Sequence, residues 1–183
     1  MIRASIPGYF RARARLLLAV GLAALAAGCG SVDFVNRADL PALRAQSLGL
    51  VNAARAQEGL PPLTFDPALN KAAQAHAEDM RRRNYYSHTS LLTGGPAERY
   101  GRAGGAPIGH FAENIARCFR CAIPADSASV RQLHEQWMGS PEHRHNILKP
   151  DVTRYGFGLA ETEDGKHYAV EEFYGPVRPE DYQ

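Results

Sequence analysis

Cys118 and Cys121 are separated by two residues, and this spacing has three well-known chemical uses. A Cys-x-x-Cys pair closes a small disulfide, supplies half of a four-ligand zinc site, or forms a thioredoxin-like redox centre. A structural zinc site normally needs a second pair, and a redox pair normally opens a helix, whereas a proline-containing segment, 122–124, follows here. In an oxidising compartment the pair therefore favours a disulfide over free thiols, a redox centre or a metal site.

The first 28 residues have the pattern of an export signal, which would place the rest of the chain in such a compartment. Arginines at 11–15 precede an apolar run, 16–27, that is too short to span a bilayer as a helix. Small residues at 26–28 then precede Cys29, an order similar to the lipobox of bacterial lipoproteins. We expect residues 1–28 to be removed and Cys29 to be lipidated. An ordinary secretory signal with an incidental cysteine is the alternative.

The charge distribution bears on partners and location. The segment 1–28 contains four arginines and no acidic residue, so its removal changes the net charge from +2 to −2. A slightly acidic mature chain is not typical of a nucleic-acid-binding protein. No nucleic acid is therefore expected as a partner. A membrane reached through the lipid anchor is expected instead. Gly30 stands where an aspartate often signals inner-membrane retention, so an outer membrane is favoured if the source has two.

Helical patterns precede strand patterns along the chain. The predicted helices span about 41–58, 67–83, 96–100 and 127–138, and another begins at 140–143; the predicted strands span 155–160 and 167–174, joined by a turn. This order indicates an α+β layered domain over 41–183, with 29–40 as its tether. Residues 84–111 are expected to be mostly irregular, which is common where a site is built from loops.

Several short motifs, in order, resemble those of the bacterial CAP family (cysteine-rich secretory protein, antigen 5, pathogenesis-related 1). They are Val51-Asn52-Ala53-Ala54-Arg55, Gly59-Leu60-Pro61-Pro62-Leu63, the segment from Leu69 to Met80, Ser87-His88, Glu113-Asn114-Ile115-Ala116, Trp137 to Arg144, Asn146-Ile147-Leu148 and Gly156-Phe157-Gly158. They cover about residues 45–175. The resemblance implies an α-β-α sandwich with a small antiparallel sheet held between helices.

The resemblance also implies a cleft. Family members gather two histidines and two glutamates, where a divalent metal can bind, and three positions match: His88, Glu113 and His143. Two neutral imidazoles and a carboxylate are a reasonable ligand set for a zinc ion. The fourth position, three residues after Trp137, is Ser140, which cannot replace a carboxylate.

Two interpretations of this cleft stay open. Either His88, Glu113 and His143 hold a metal such as zinc, with Glu135 or Glu142 as nearby substitutes for the missing carboxylate, or the three form a hydrogen-bonded structural cluster. His76 lies on the apolar stripe of its predicted helix and is expected to be a core histidine.

The expected function follows from the same residues. The favoured hypothesis is a non-enzymatic binding module of the cell envelope that takes a lipid, glycan or peptide ligand, because no nucleophile and base pair is evident. The alternatives are a divalent-metal-dependent hydrolase or peptidase that uses the same cleft, and a structural envelope protein.

Overall fold

The computed structural model describes residues 38–106 and 108–177. The predicted signal segment, Cys29 and most of the predicted tether lie outside these residues. In the described part, the helices are α1 (Leu40–Gln57), α2 (Pro67–Arg83), α3 (Pro96–Arg102), α4 (Ser127–Met138) and α5 (Pro141–Ile147). The strands are β1 (Thr64–Phe65), β2 (His110–Cys118), β3 (Arg154–Glu161) and β4 (His167–Gly175).

Aspartates begin three of the helices. Asp66 accepts hydrogen bonds from the backbone N–H groups of Ala68 at 2.8 Å and Leu69 at 3.1 Å, so α2 begins where the Asp-Pro pair predicts. Asp39 and Asp126 cap α1 and α4 in the same way. These short-range bonds satisfy backbone donors that have no partner inside the helix, which is why the starts were visible in the sequence.

The strands form one mixed sheet in the order β1-β3-β4-β2. β3 and β2 both pair antiparallel with β4, whereas β1 adds two residues in parallel to the start of β3. The sheet therefore differs from the expected purely antiparallel one through β1. It also contains β2, which begins at the end of a segment expected to be irregular and occupies an edge.

Helices cover both faces of the sheet, as an α-β-α arrangement requires. α2 packs on one face and α1 with α4 on the other. Two glycines of β3 allow α2 to approach: a Cβ at Gly156 or Gly158 would lie 2.3 Å from backbone carbon atoms of Leu69 or Ala73. The expected α+β fold is confirmed. None of the helices in the described residues has the length and apolar character needed to cross a bilayer.

A disulfide joins Cys118 to Cys121 at the end of β2. The loop that it closes is tied to the β3–β4 turn, because the Cys121 backbone N–H donates to Gly165 O at 2.9 Å. The buried His167 ring also makes a 2.9 Å hydrogen bond with Ala122 O. The segment that follows β2 is therefore fixed to the sheet by both covalent and polar contacts.

Candidate functional site

The candidate site is built around Glu113, which projects from β2 towards the α2 face of the sheet. Its side chain is 2% exposed, and both carboxylate oxygens have partners. Oε1 lies 2.7 Å from Nδ1 of His88, whose side chain is 54% exposed, and Oε2 accepts a short hydrogen bond from Arg99 Nη2. The exposed imidazole of His88 thus contacts one oxygen of a buried carboxylate, and the buried guanidinium of Arg99 binds the other oxygen.

Arg99 is a site residue that the sequence analysis did not single out. It lies on α3, is almost fully buried, and donates to Glu172 Oε1 at 3.2 Å as well as to Glu113. Its Nη1 donates to the carbonyl oxygens of His88 at 2.9 Å and Gly94 at 2.8 Å. One side chain therefore joins the loop that contains His88 to two strands of the sheet.

Glu113 and Glu172 are cross-strand partners in the pairing of β2 with β4. Two ionised carboxylates directly opposite each other would repel, and Arg99 lies against both. Burial, together with the neighbouring charge of Glu113, raises the pKa of Glu172 to about 8, although Arg99 acts in the opposite sense. The surroundings of Glu172 therefore favour its protonated form, and Arg99 contacts both carboxyl groups.

His76 adds a third imidazole beside this cluster. It is fully buried, and its Nε2 makes a 2.9 Å hydrogen bond with Ser87 O while lying 4.0 Å from Glu113 Oε2. Burial, reinforced by the charge of Arg99, lowers its pKa, so the ring is neutral near pH 7. It is a core histidine, as expected, and it also forms the floor of the site.

His143 reaches the site from the opposite layer, on α5. Its Nδ1 is buried and lacks a hydrogen-bond partner, and burial together with the charge of His88 lowers its pKa. The ring makes no hydrogen bond or ion pair with Glu113 or His88 in the described structure. Ser140 begins α5 and donates to Glu142 Oε2 at 3.1 Å. Glu142 and Glu135 are both exposed.

The two layers meet across the free edge of β2. Asn146 Nδ2 donates to Glu113 O at 3.1 Å, and Ile115 O accepts from both Tyr86 OH at 2.9 Å and Trp137 Nε1 at 3.1 Å. Carbonyl groups on the edge strand are thus satisfied by side chains from α4, from α5 and from the loop after α2. These bonds attach the loop after α2 and the helices α4 and α5 to the same edge strand.

A second polar network fixes α5 from the other face of the sheet. Asn114 Nδ2 donates to His143 O at 3.1 Å and to Glu171 Oε2 at 3.0 Å. Glu171 Oε1 accepts from Tyr155 OH at 2.8 Å, and that hydroxyl lies 2.6 Å from Ser47 Oγ. Burial raises the pKa of Glu171 to about 7. The position of His143 therefore depends on a buried carboxyl group that makes no ion pair among the described residues.

The described residues contain no group of three or more His, Cys, Asp and Glu side chains placed to hold a metal ion. Both oxygens of Glu113 are engaged, one of them by the cation Arg99, which would repel a second cation nearby. In this arrangement the two carboxylate oxygens of Glu113 are bonded to Arg99 and His88. The zinc site at His88, Glu113 and His143 stays a prediction.

One feature of the sequence could have indicated two of the buried polar residues that the motifs did not identify, Glu171 and Glu172. Glu171 and Glu172 stand side by side in the middle of β4, where every residue is buried. Two acids inside an otherwise apolar strand must find donors or hold protons, since an unpaired buried charge is costly. Arg99 offered no such signal, because an arginine in a short helix usually faces solvent.

Comparisons with known proteins place the fold in a family. The model described as "CAP: Cysteine-rich secretory protein family" matches residues 48–173. The uncharacterized protein YkwD of Bacillus subtilis (strain 168) is 34% identical over 113 residues, which are 62% of this chain and 40% of that protein.

Solved structures agree with the match. An extracellular protein containing a SCP domain from Bacillus anthracis str. Ames superimposes with a TM-score of 0.59 at 27% identity, over 74% of this chain and 41% of that one. An outer surface protein from Borrelia burgdorferi gives the same TM-score at 19% identity, over 71% of this chain and 90% of that one, and shows the fold alone.

The matched part of this chain spans less than half of each of the two Bacillus proteins. The family model nevertheless covers more than half of this chain, and the helices and mixed sheet agree with the solved structures over about three quarters of it. The chain belongs to the cysteine-rich secretory protein (CAP) family.

Proposed function

We propose that this CAP protein is exported, held at the cell envelope by a lipid on Cys29, and acts as a non-enzymatic binding module whose cleft contains His88, Glu113 and His143. Its relatives support the location: one is described as extracellular and another as an outer surface protein. The sequence supports the anchor through the arginines, the short apolar run and the small residues before Cys29.

The engagement of Glu113 is the observation that supports binding over catalysis. His88 Nδ1 is bonded to this carboxylate, and among the described residues neither ring nitrogen of His88 is hydrogen-bonded to a hydroxyl or thiol that it could activate. The other carboxylate oxygen is bonded to the buried Arg99, so both oxygens of Glu113 are already engaged by side chains of the protein. The cluster is therefore suited to presenting an oriented, exposed imidazole to a ligand.

The loop that contains His88 also presents apolar surface. Tyr86 is 41% exposed, Leu92 56% and Leu91 fully exposed. Exposed apolar side chains beside a few oriented polar groups are typical of surfaces that bind ligands or partners. The same loop thus provides both the polar and the apolar parts of the proposed cleft.

The test is recovery of a natural ligand. The full chain would be isolated from native membranes, extracted, and examined by mass spectrometry beside His88→Ala and His145→Ala. His145 is an exposed histidine of α5 and serves as the matched control. We expect an envelope compound to co-purify with the wild type and with His145→Ala but to be depleted in His88→Ala. No enrichment in any of the three would contradict the proposal.

A metal-dependent hydrolase or peptidase is the second candidate, and the unpartnered, buried Nδ1 of His143 is the observation in its favour. Zinc titration of the wild type, His88→Ala, His143→Ala and His145→Ala separates the two functions. Stoichiometric zinc binding that is lost in the first two variants, kept in the third, and accompanied by zinc-dependent hydrolysis would support the enzyme. Absence of zinc binding by the wild type near neutral pH would contradict the metal-dependent hydrolase or peptidase function.

A further inference from the structure

Arg117 lies on the same face of β2 as Glu113, four residues further along the strand. Its guanidinium carbon is 5.0 Å from the centroid of the Tyr86 ring and 4.8 Å from that of the Phe119 ring. Among the described residues it makes neither a hydrogen bond nor an ion pair. The N–H donors of this half-buried cation are therefore free, while its position is set by two aromatic rings.

The Tyr86 ring and the loop that contains Phe119 are themselves held in place. The Tyr86 hydroxyl donates to Ile115 O at 2.9 Å, which fixes that ring against the edge of β2. Phe119 lies inside the loop closed by Cys118 and Cys121, and that loop is tied to the β3–β4 turn. Arg117 is thus positioned before any ligand arrives, which lowers the entropy lost on binding.

The chemistry of this arrangement points to an anion. A guanidinium whose edge is free presents a planar set of donors that matches a carboxylate or phosphate in two parallel hydrogen bonds. The rings beside it remain accessible, since Phe119 is 57% exposed and Tyr86 is 41% exposed. Accessible aromatic rings next to an anion-binding group suit the apolar face of a sugar ring.

The subsite adjoins the cleft of the proposed function. Tyr86 lies two residues before His88, and the charges of both Glu113 and Arg117 act on its hydroxyl group. A chain-like ligand could therefore contact His88 and Arg117 together. Because Arg117 is half-buried rather than protruding, an extended polymer can approach it more closely than a flat bilayer surface can.

We propose that Arg117, with Tyr86 and Phe119, forms an anion-binding subsite that recognises a carboxylate or phosphate group carried by a sugar of a cell-envelope glycan. The subsite rests on the proposed binding function and specifies the ligand class: an acidic saccharide that lies along the loop with His88. The bond to the anion is the paired N–H donation of the guanidinium, and the sugar ring stacks on an aromatic ring.

The experiment compares two matched probes by isothermal titration calorimetry with the full chain. One is an oligomer of β-linked glucuronic acid, and the other is the glucose oligomer of the same length and linkage. We expect the acidic oligomer to bind more tightly than the neutral one, with an affinity that falls as salt is raised. Equal affinities for the two would overturn the subsite and leave the binding function standing.

Variants test the residue itself. Arg117→Met should weaken binding of the acidic oligomer about ten-fold or more, and Arg117→Lys should fall between it and the wild type, because lysine keeps the charge but loses the planar donors. Arg131→Met removes an equal charge from an exposed residue of α4 and should change the affinity less than about two-fold. Unchanged binding in Arg117→Met, with melting temperature preserved, would overturn the proposal.

Two further probes distinguish a glycan from free phosphate and from a lipid headgroup as the source of the anion. Inorganic phosphate should compete with the acidic oligomer only weakly, because it lacks the sugar ring. Vesicles of phosphatidylglycerol should bind the full chain no differently in the wild type and Arg117→Met. If vesicle binding instead depends on Arg117 and neither oligomer binds, the subsite is for lipid headgroups and the glycan proposal is wrong. If neither oligomer binds and native isolation recovers no ligand, the binding function itself fails.

Discussion

At the scale of single residues, Glu171 illustrates how a buried acid is retained without a cation. It accepts from Asn114 and Tyr155, and burial raises its pKa from an ordinary 4.5 to about 7. Between these values the folded protein holds one more proton than the unfolded chain. The free energy of unfolding must therefore fall as pH rises from about 4.5 to about 7, and this contribution is constant above that range.

Glu171→Gln tests this dependence, since glutamine has the shape of the protonated acid and can still bond to Asn114 and Tyr155. Between pH 4.5 and 8 the wild type should lose about 3 kcal/mol of stability relative to the variant. Urea unfolding at several pH values provides the measurement. Glu163→Gln, in the exposed turn before β4, is the control and should follow the wild type. Parallel curves for Glu171→Gln and the wild type would show that Glu171 is already ionised throughout.

At the scale of elements, α3 is a seven-residue helix that contacts the sheet through two buried residues, Arg99 and Tyr100, and Arg99 makes its polar contacts with the sheet. Arg99 bonds to Glu113, Glu172 and two loop carbonyls, so its removal leaves buried acceptors without donors. The energetic consequence should be large, because a buried ion pair that loses one partner keeps the cost of burying the other.

Arg99→Met should therefore lower the free energy of unfolding by about 3–5 kcal/mol. Arg102→Met, at an exposed position of the same helix, should change it by less than about 0.5 kcal/mol. Because Arg99→Met leaves the buried carboxyl group of Glu113 without its cation, adding Glu113→Gln to Arg99→Met should restore part of the loss. Chemical denaturation followed by circular dichroism measures all three variants, and a double variant no more stable than Arg99→Met would refute the energetic importance of the contact between Arg99 and Glu113.

Two glycines give a matched test of how closely α2 packs on the sheet. A Cβ at Gly158 would lie 2.3 Å from backbone atoms of α2, whereas a Cβ at Gly49, an exposed position of α1, meets nothing within 4 Å. Gly158→Ala should destabilise the protein by about 3 kcal/mol or more, since the helix must move away. Gly49→Ala should stabilise it by about 0.5–1 kcal/mol. Thermal unfolding of both variants measures these changes in stability. Equal effects of Gly158→Ala and Gly49→Ala would mean that α2 can move away from the sheet at little cost.

The elements differ in how well the sequence predicts them. The starts of α2 and α4 are local features, set by Asp66 and by the residues around Ser127, and they lie where the pattern places them. β2 was not predicted because its buried residues include Glu113 and Asn114, whose partners come from α3, α5 and β4. β1 has only two residues and exists through its pairing with β3. Long-range pairing leaves no local pattern.

The same distinction applies to the site. The resemblance brought His88 and Glu113 to attention, and the structure places them in contact. Arg99 and Glu172 were missed because their roles depend on cross-strand pairing and on the position of a short helix, neither of which is encoded over a few neighbouring residues. His143 approaches from the other layer, so its relation to His88 is a property of the tertiary fold.

At the scale of the whole molecule, the remaining prediction concerns the N-terminus. Residues 1–28 should be removed and Cys29 should carry acyl chains, because charged, apolar and small residues precede it in the order that lipoprotein processing requires. Mass spectrometry of the chain isolated from its native membrane gives the answer. An unmodified N-terminus at another position, or retention of Met1, would contradict the prediction and favour a freely secreted protein.

The edge of β2 has a consequence for assembly. An edge strand with open carbonyl groups is a template on which a neighbouring chain can add a strand and begin to aggregate. Here the carbonyls of Glu113 and Ile115 are already occupied by Asn146, Trp137 and Tyr86. Chains crowded together on a surface would find no vacant acceptor at these two positions, and a partner has to be recognised there through side chains instead of by lengthening the sheet.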